Sequence, residues 1–251
     1  MSRQDIAERF QRETAKHTMT VRHDEGLYRH LRFRDPKHGM YWFDLITVPH
    51  ALIFRGDGES FVFDRMDDMF EFFRSGIWRD GSVHINPGYW AEKLTSDRDS
   101  VKKYDQGLFE QTVKEHVAEA ILDRSAPRGI SRAIKELFEY GDITWEGGAR
   151  RALEEFEYCT FKASCLCGAE ETFTDEIDAD LWGHRHVRAT DITHRISVKR
   201  GESFSFEDTS EWSFRDYDWW FLWALHGIVW GITQYDAAKR ADAEQAEAVA
   251  G

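Results

Sequence analysis

Leu27-Tyr28-Arg29-His30-Leu31-Arg32-Phe33-Arg34 is the stretch whose reading decides the fold. Leu27, Leu31 and Phe33 alternate with Tyr28, His30, Arg32 and Arg34, the period of two expected of a strand with one buried face. Outward from it, residues 35–39 (Asp-Pro-Lys-His-Gly) read as a turn, and residues 41–48 as a second strand, fairly apolar on both faces. Pro49-His50 turns the chain into residues 51–55, and Gly56-Asp57-Gly58-Glu59 makes a tight hairpin into residues 60–64. Four or five short strands joined so closely predict an antiparallel meander.

Beyond this meander the period lengthens. Met66, Met69, Phe70 and Phe73 recur at three- and four-residue spacing, predicting a helix over 65–75 with Asp67 and Asp68 in its favourable first turn. Asn86-Pro87-Gly88 opens a short helix through Leu94, with proline at the first helical position. Residues 1–17, 105–124, 128–140 and 147–158 read as further helices. An aromatic helix runs from Trp212 to about Tyr235, and an Ala/Glu tail extends it. Its segment 219–232 is apolar on every side apart from His226 and two glycines, so Trp219, Phe221, Trp223 and Trp230 are expected in the core. The segment falls short of the roughly 20 residues that span a bilayer.

With 251 residues, 41% apolar, and 18 Phe, 10 Trp and 8 Tyr, the chain can build one large domain, or one domain with a small insert. Its 33 basic and 46 acidic residues give a formal charge of −13, which disfavours broad binding to nucleic acid or an anionic membrane. The N-terminus is charged where a signal peptide needs an apolar run, so a cytoplasmic protein is expected. Thiols there stay reduced, and clustered cysteines favour metal over disulfide.

The three cysteines stand at Cys159, Cys165 and Cys167, and His184, His186 and His194 follow. Residues 159–202 are polar, threonine-rich and punctuated by Gly168 and Gly183. They read as an inserted Cys/His module, zinc-ribbon-like, in a main α+β domain of residues 1–158 and 203–251. Cys165-Leu166-Cys167-Gly168 suits a metal knuckle, because glycine lets the chain turn while two thiolates point inward. A strand at 171–173 and a helix at 175–182 follow. The predicted zinc ligands are Cys165, Cys167, His186 and His194, with Cys159 and His184 as substitutes. The single residue between Cys165 and Cys167 is a shorter gap than the usual one, and the competing reading is buried free thiols with solvated histidines. Four protein ligands would make the site structural and closed; within residues 159–202 no His-Glu-x-x-His or deaminase-like His-x-Glu pattern supplies the general base of a catalytic zinc.

A resemblance adds to this reading. The segments Arg29–Arg34 (Arg-His-Leu-Arg-Phe-Arg), Tyr-Trp-Phe-Asp-Leu-Ile-Thr from Tyr41, Gly56-Asp57-Gly58, Asp-Met-Phe-Glu-Phe-Phe-Arg from Asp68, Ile-Asn-Pro-Gly-Tyr-Trp from Ile85 and Trp-Gly-Ile-Thr-Gln-Tyr-Asp from Trp230 resemble a family of uncharacterised phage and prophage proteins. The similarity covers roughly residues 15–95 and 212–237. It implies a phage accessory role in a bacterial cytoplasm and no mechanism. The Cys/His segment lies outside it, as an insert would.

His30, Arg32 and Arg34 share one strand face with Tyr28, where an anion or acidic partner can be gripped by Arg forks. The simpler account pairs Arg32 with a cross-strand carboxylate such as Asp44. Arg185 and Arg188, with Arg195, Lys199 and Arg200, form a basic run suited to nucleic acid or to pairing with the protein's own carboxylates. Asp64, Asp67 and Asp68 read as helix-start charges, and His226 as a core histidine. No phosphate-binding Gly-Lys-Ser/Thr loop, dinucleotide Gly-x-Gly-x-x-Gly or Gly-x-Ser-x-Gly elbow occurs. No catalytic residue is assigned. The expected function is binding, and inhibiting or redirecting, a host protein. The alternatives are a zinc-dependent enzyme acting on nucleotides or nucleic acid, and a small nucleic-acid-binding factor.

Overall fold

The structure, a computed structural model, describes residues 3–78, 82–190 and 194–250. In chain order it contains α1 (Arg3–Thr14), β1 (Thr18–Glu25), β2 (Tyr28–Arg34), β3 (Phe43–Val48), β4 (Ala51–Gly56), β5 (Phe61–Asp64), α2 (Met69–Arg74) and α3 (Pro87–Ala91). Next come β6 (Lys102–Tyr104), α4 (Gln106–Leu122), α5 (Ile130–Tyr140), α6 (Glu146–Glu154), β7 (Glu157–Cys165), β8 (Glu170–Phe173), α7 (Glu176–Ala189) and β9 (Ile196–Ser205). The chain ends with β10 (Arg215–Tyr217) and α8 (Trp219–Ala250). It is an α+β fold.

Two compact units divide the chain: residues 1–103 with 217–251, and residues 104–216. This departs from the expected insert at 159–202. The boundary moves because the segments flanking the expected insert share a core of their own: Phe109, Val113, Ile134 and Leu153 from helices cluster with Phe204 at the end of β9 and with Phe206 and Phe214 beyond it. An apolar helix face buries itself against whatever apolar strand face is near, and composition alone does not show that partner.

In the first unit β1 to β5 form an antiparallel sheet in sequential order, the expected meander. Strand alternation puts Leu31, Phe33, Phe43, Leu45, Leu52, Phe54, Phe61 and Phe63 on one face, all buried. The aromatic helix α8 lies on that face. Gly227 and Gly231, one turn apart, let it approach: a Cβ at Gly231 would stand 2.7 Å from Leu45 Cδ1, and one at Gly227 3.1 Å from Phe54. Phe221 and Trp223 are fully buried, as expected, whereas Trp219 and Trp230 are only partly so and pack at the core's margin.

Local chemistry trims the expected elements. Asp68 caps α2 by accepting from the Phe70 N–H, so Met66 and Asp67 stay outside the helix. Residues 147–158 split, with α6 ending at Glu154 and Glu157 starting β7. Residues 212–218 are not helical; the Asp218 carboxylate accepts from the Trp220 N–H as α8 begins. In the second unit β8-β7-β9 form an antiparallel sheet, with α7 joining β8 to β9. No helix among the described residues is long and apolar enough to cross a membrane.

Candidate metal centre

Cys165 is the last residue of β7, and the hairpin to β8 turns immediately after it. The Gly168 N–H donates to the Cys165 carbonyl at 2.9 Å, and Gly168 has a φ of +92°, a conformation that costs glycine nothing. The turn brings Cys167 back beside Cys165. Opposite them, α7 is capped by Asp175, which accepts from the Ile177 N–H at 2.7 Å. Gly183 is buried on this helix, where a Cβ would meet Ile196 Cγ2 at 2.8 Å. That close approach of α7 to β9 places His186, one turn further on, over the hairpin. His194 stands two residues before β9 begins.

These elements bring Cys165, Cys167, His186 and His194 together, with one ligand atom from each lying within 4.8 Å of all the others. Cys165 Sγ is 3.3 Å from His194 Nδ1, Cys167 Sγ is 3.3 Å from His186 Nε2, and the two nitrogens are 3.1 Å apart. A tetrahedral ion bound at about 2.3 Å to sulfur and 2.05 Å to nitrogen gives S···N edges of about 3.5 Å and an N···N edge of about 3.3 Å. These three observed edges come within about 0.3 Å of those values. The group could hold a metal ion. The Trp182 ring stacks on His186 at 5.1 Å and 14°, fixing the imidazole plane.

The substitute ligands stay apart. Cys159 lies six positions back along β7, roughly 20 Å at strand rise. His184 is exposed and, two residues from His186, points about 200° around the helix.

The sheet residues take the simpler of their two readings. Arg32 and Asp44 face each other across β2 and β3, and the guanidinium grips the carboxylate at 2.7 and 2.8 Å. His30 Nε2 lies 3.1 Å from Asp44 Oδ2 and Arg55 Nε 3.7 Å from it. Trp42 lies against both Arg32 and Arg55. Asp44 is wholly buried beneath these groups. Burial alone would raise its pKa, but the hydrogen bonds from Arg32 and the adjacent His30 imidazole outweigh that and hold it below the usual carboxylate range. Arg34 is exposed at the strand end. Asp68 grips Arg29 at 2.8 and 3.0 Å besides capping α2, a second role that the helix reading missed. Arg185 and Arg188 are exposed on α7, and Arg200 is spent on Glu157.

A cleft of about 740 Å³ in the second unit was not anticipated. Several of its polar groups already have partners: Arg132 pairs with Glu136 at 2.9 Å, Tyr158 Oη donates to the Arg128 carbonyl at 2.8 Å, and Asp175 caps α7. His226, half-hidden on α8 beside Phe10, is pushed down to about 4 by burial.

Comparison of the chain with family models, with curated proteins and with solved structures gives no match.

Proposed function

We propose that the chain is a non-catalytic binding protein whose second unit is stapled by one structural zinc ion. In this reading it is a phage or prophage accessory protein that works in the cytoplasm of a bacterium, where it binds a host protein and inhibits or redirects it. The completeness of the donor set carries the reading. Two thiolates and two imidazoles within 4.8 Å of one another would fill a tetrahedral zinc ion's coordination, leaving no position for water or substrate. Sulfur and imidazole donors favour zinc over magnesium or calcium, which take oxygen ligands. The alternative, a zinc enzyme acting on nucleotides or nucleic acid, requires the open position that this set closes.

The charge of −13 supports a protein partner over nucleic acid, and the cations at Asp44 and Asp68 support folding before recognition. The phage origin rests on the sequence resemblance. The test uses protein purified without chelator: elemental analysis for zinc, affinity capture from bacterial lysate, and turnover assays on nucleotides and oligonucleotides. Expected are about one zinc per chain, one specific host protein captured, and no turnover. Zinc-dependent hydrolysis of a nucleotide or oligonucleotide would overturn the reading.

A further inference from the structure

Helix α4 has more apolar surface than its own core uses. Phe109, Val113, Val117 and Ala120 are buried in the second unit's core. A second stripe, at positions 114, 117, 118 and 121, follows the same helical spacing on a neighbouring side. On α5 the positions 131, 134, 135 and 138 repeat that spacing. The two stripes line a groove of about 390 Å³ whose floor is Val117, Ile121, Ile134 and Phe138. Val117 and Ile134 are buried at its base, Phe138 is half-buried and Ile121 is 47% exposed. Apolar side chains left open to water along a groove are candidates for cover by a partner.

We infer that this groove docks an amphipathic helix of a partner protein, one with an aliphatic face and acidic flanks. The shape argument is that ridges at three- and four-residue spacing on two packed helices leave a groove that a third helix can fill with its own ridge. Charge complementarity selects the flanks. The groove's charged lining residues are Lys114 and Lys135. Lys114 lies 5.0 Å from the Phe138 ring and reaches Glu110 at 3.1 Å, with more than half of its side chain still in water. Lys135 is exposed. Carboxylates flanking the incoming helix would meet both ammonium groups. A nucleic acid would set phosphates over an aliphatic floor with two amines in reach, a poor match. The chain's own C-terminal tail has acidic residues, Asp242, Glu244 and Glu247, but offers mostly alanine where the groove needs larger aliphatic side chains.

This inference rests on the binding-protein reading and names the class of partner for it. The probe is a fluorescein-labelled helical peptide, roughly 16 residues long so that the helix can form, with leucines on one face and glutamates on the flanks. Its controls are the same peptide with lysines for glutamates, a peptide of residues 237–250, and a labelled oligothymidylate. Fluorescence anisotropy with the full chain should show the glutamate peptide binding about fivefold or more tighter than the lysine peptide, with the gap narrowing at high salt. Ile121→Asp, at a position open to water, should abolish binding while the circular dichroism spectrum is retained. The double variant Lys114→Glu, Lys135→Glu should reverse the peptide preference. Equal binding of both peptides, no effect of Ile121→Asp, or tighter binding of the tail peptide or the oligonucleotide overturns the inference. If Ile121→Asp leaves capture of the host protein intact, this groove is the wrong face but the binding reading survives. If no host protein is captured while the glutamate peptide binds, the binding reading fails and the groove stands.

Discussion

Cys167→Ser removes the exposed thiolate of the tetrahedral group, and its cost follows from what that ligand ties down. Cys165 and His194 are brought together largely without metal, because the β7–β9 ladder pairs Cys165 with Ile196. The link that the ladder does not supply runs from Cys167 to His186, 19 residues apart, and it adds to the packing of α7 on the sheet. Cross-linking a loop of that length removes about 3 kcal/mol of unfolded-chain entropy. Loss of the ion should therefore destabilise the second unit by about 3 kcal/mol, which for a unit of residues 104–216 lowers its melting temperature by on the order of 10 °C. The assay is hydrogen exchange followed by mass spectrometry, with elemental analysis, on wild type, Cys167→Ser and chelator-treated protein. Amides of β7, β8 and α7 should exchange faster in both perturbed samples. Those of β3 and β4 should not change, because the first unit's core contains none of the ligands. Metal-free wild-type protein with full protection across β7, β8 and α7 would refute the reasoning.

Three further outcomes are expected. Trp223→Ala should cost about 3–5 kcal/mol in denaturant unfolding, because the ring is fully buried, stacks on Trp220 at 4.8 Å and donates to Glu13 at 2.8 Å; a loss below about 1 kcal/mol would mean the core closes over the gap. Asp44→Ala should destabilise by about 3–5 kcal/mol by leaving Arg32 and His30 facing a buried site with no counter-charge, and Asp44→Asn by less; equal stability of wild type and Asp44→Ala, compared by urea midpoint, would show that the pair contributes nothing. His226 titrates near 4 in the folded chain against about 6.5 unfolded, so between those values the unfolded state binds the extra proton. Its neutral form contributes fully above pH 6.5, and up to about 3 kcal/mol is lost as pH falls towards 4. His226→Gln should flatten that acid limb, and an unchanged slope of stability against pH would remove burial of His226 as its cause.

Much of this protein was legible in the chain itself. Alternation around Leu31 and Phe33 announced the meander, since period two leaves a strand only one way to bury its apolar side. The Cys165–Cys167 pair with His186 and His194 was readable because thiolates and imidazoles are rare and their bunching is local. Packing decided the rest. Whether Cys159 or His184 joined the cluster depended on strand rise and helix rotation, which residue identity does not encode. The unit boundary at residue 104 depended on Phe109 and Val113 finding Phe204 and Phe214, apolar residues far apart in sequence whose pairing leaves no local signature. The role of Arg32 was settled the same way: the strand pattern put it on one face, but only the register of β2 on β3 set it against Asp44 and turned a candidate anion grip into a structural ion pair.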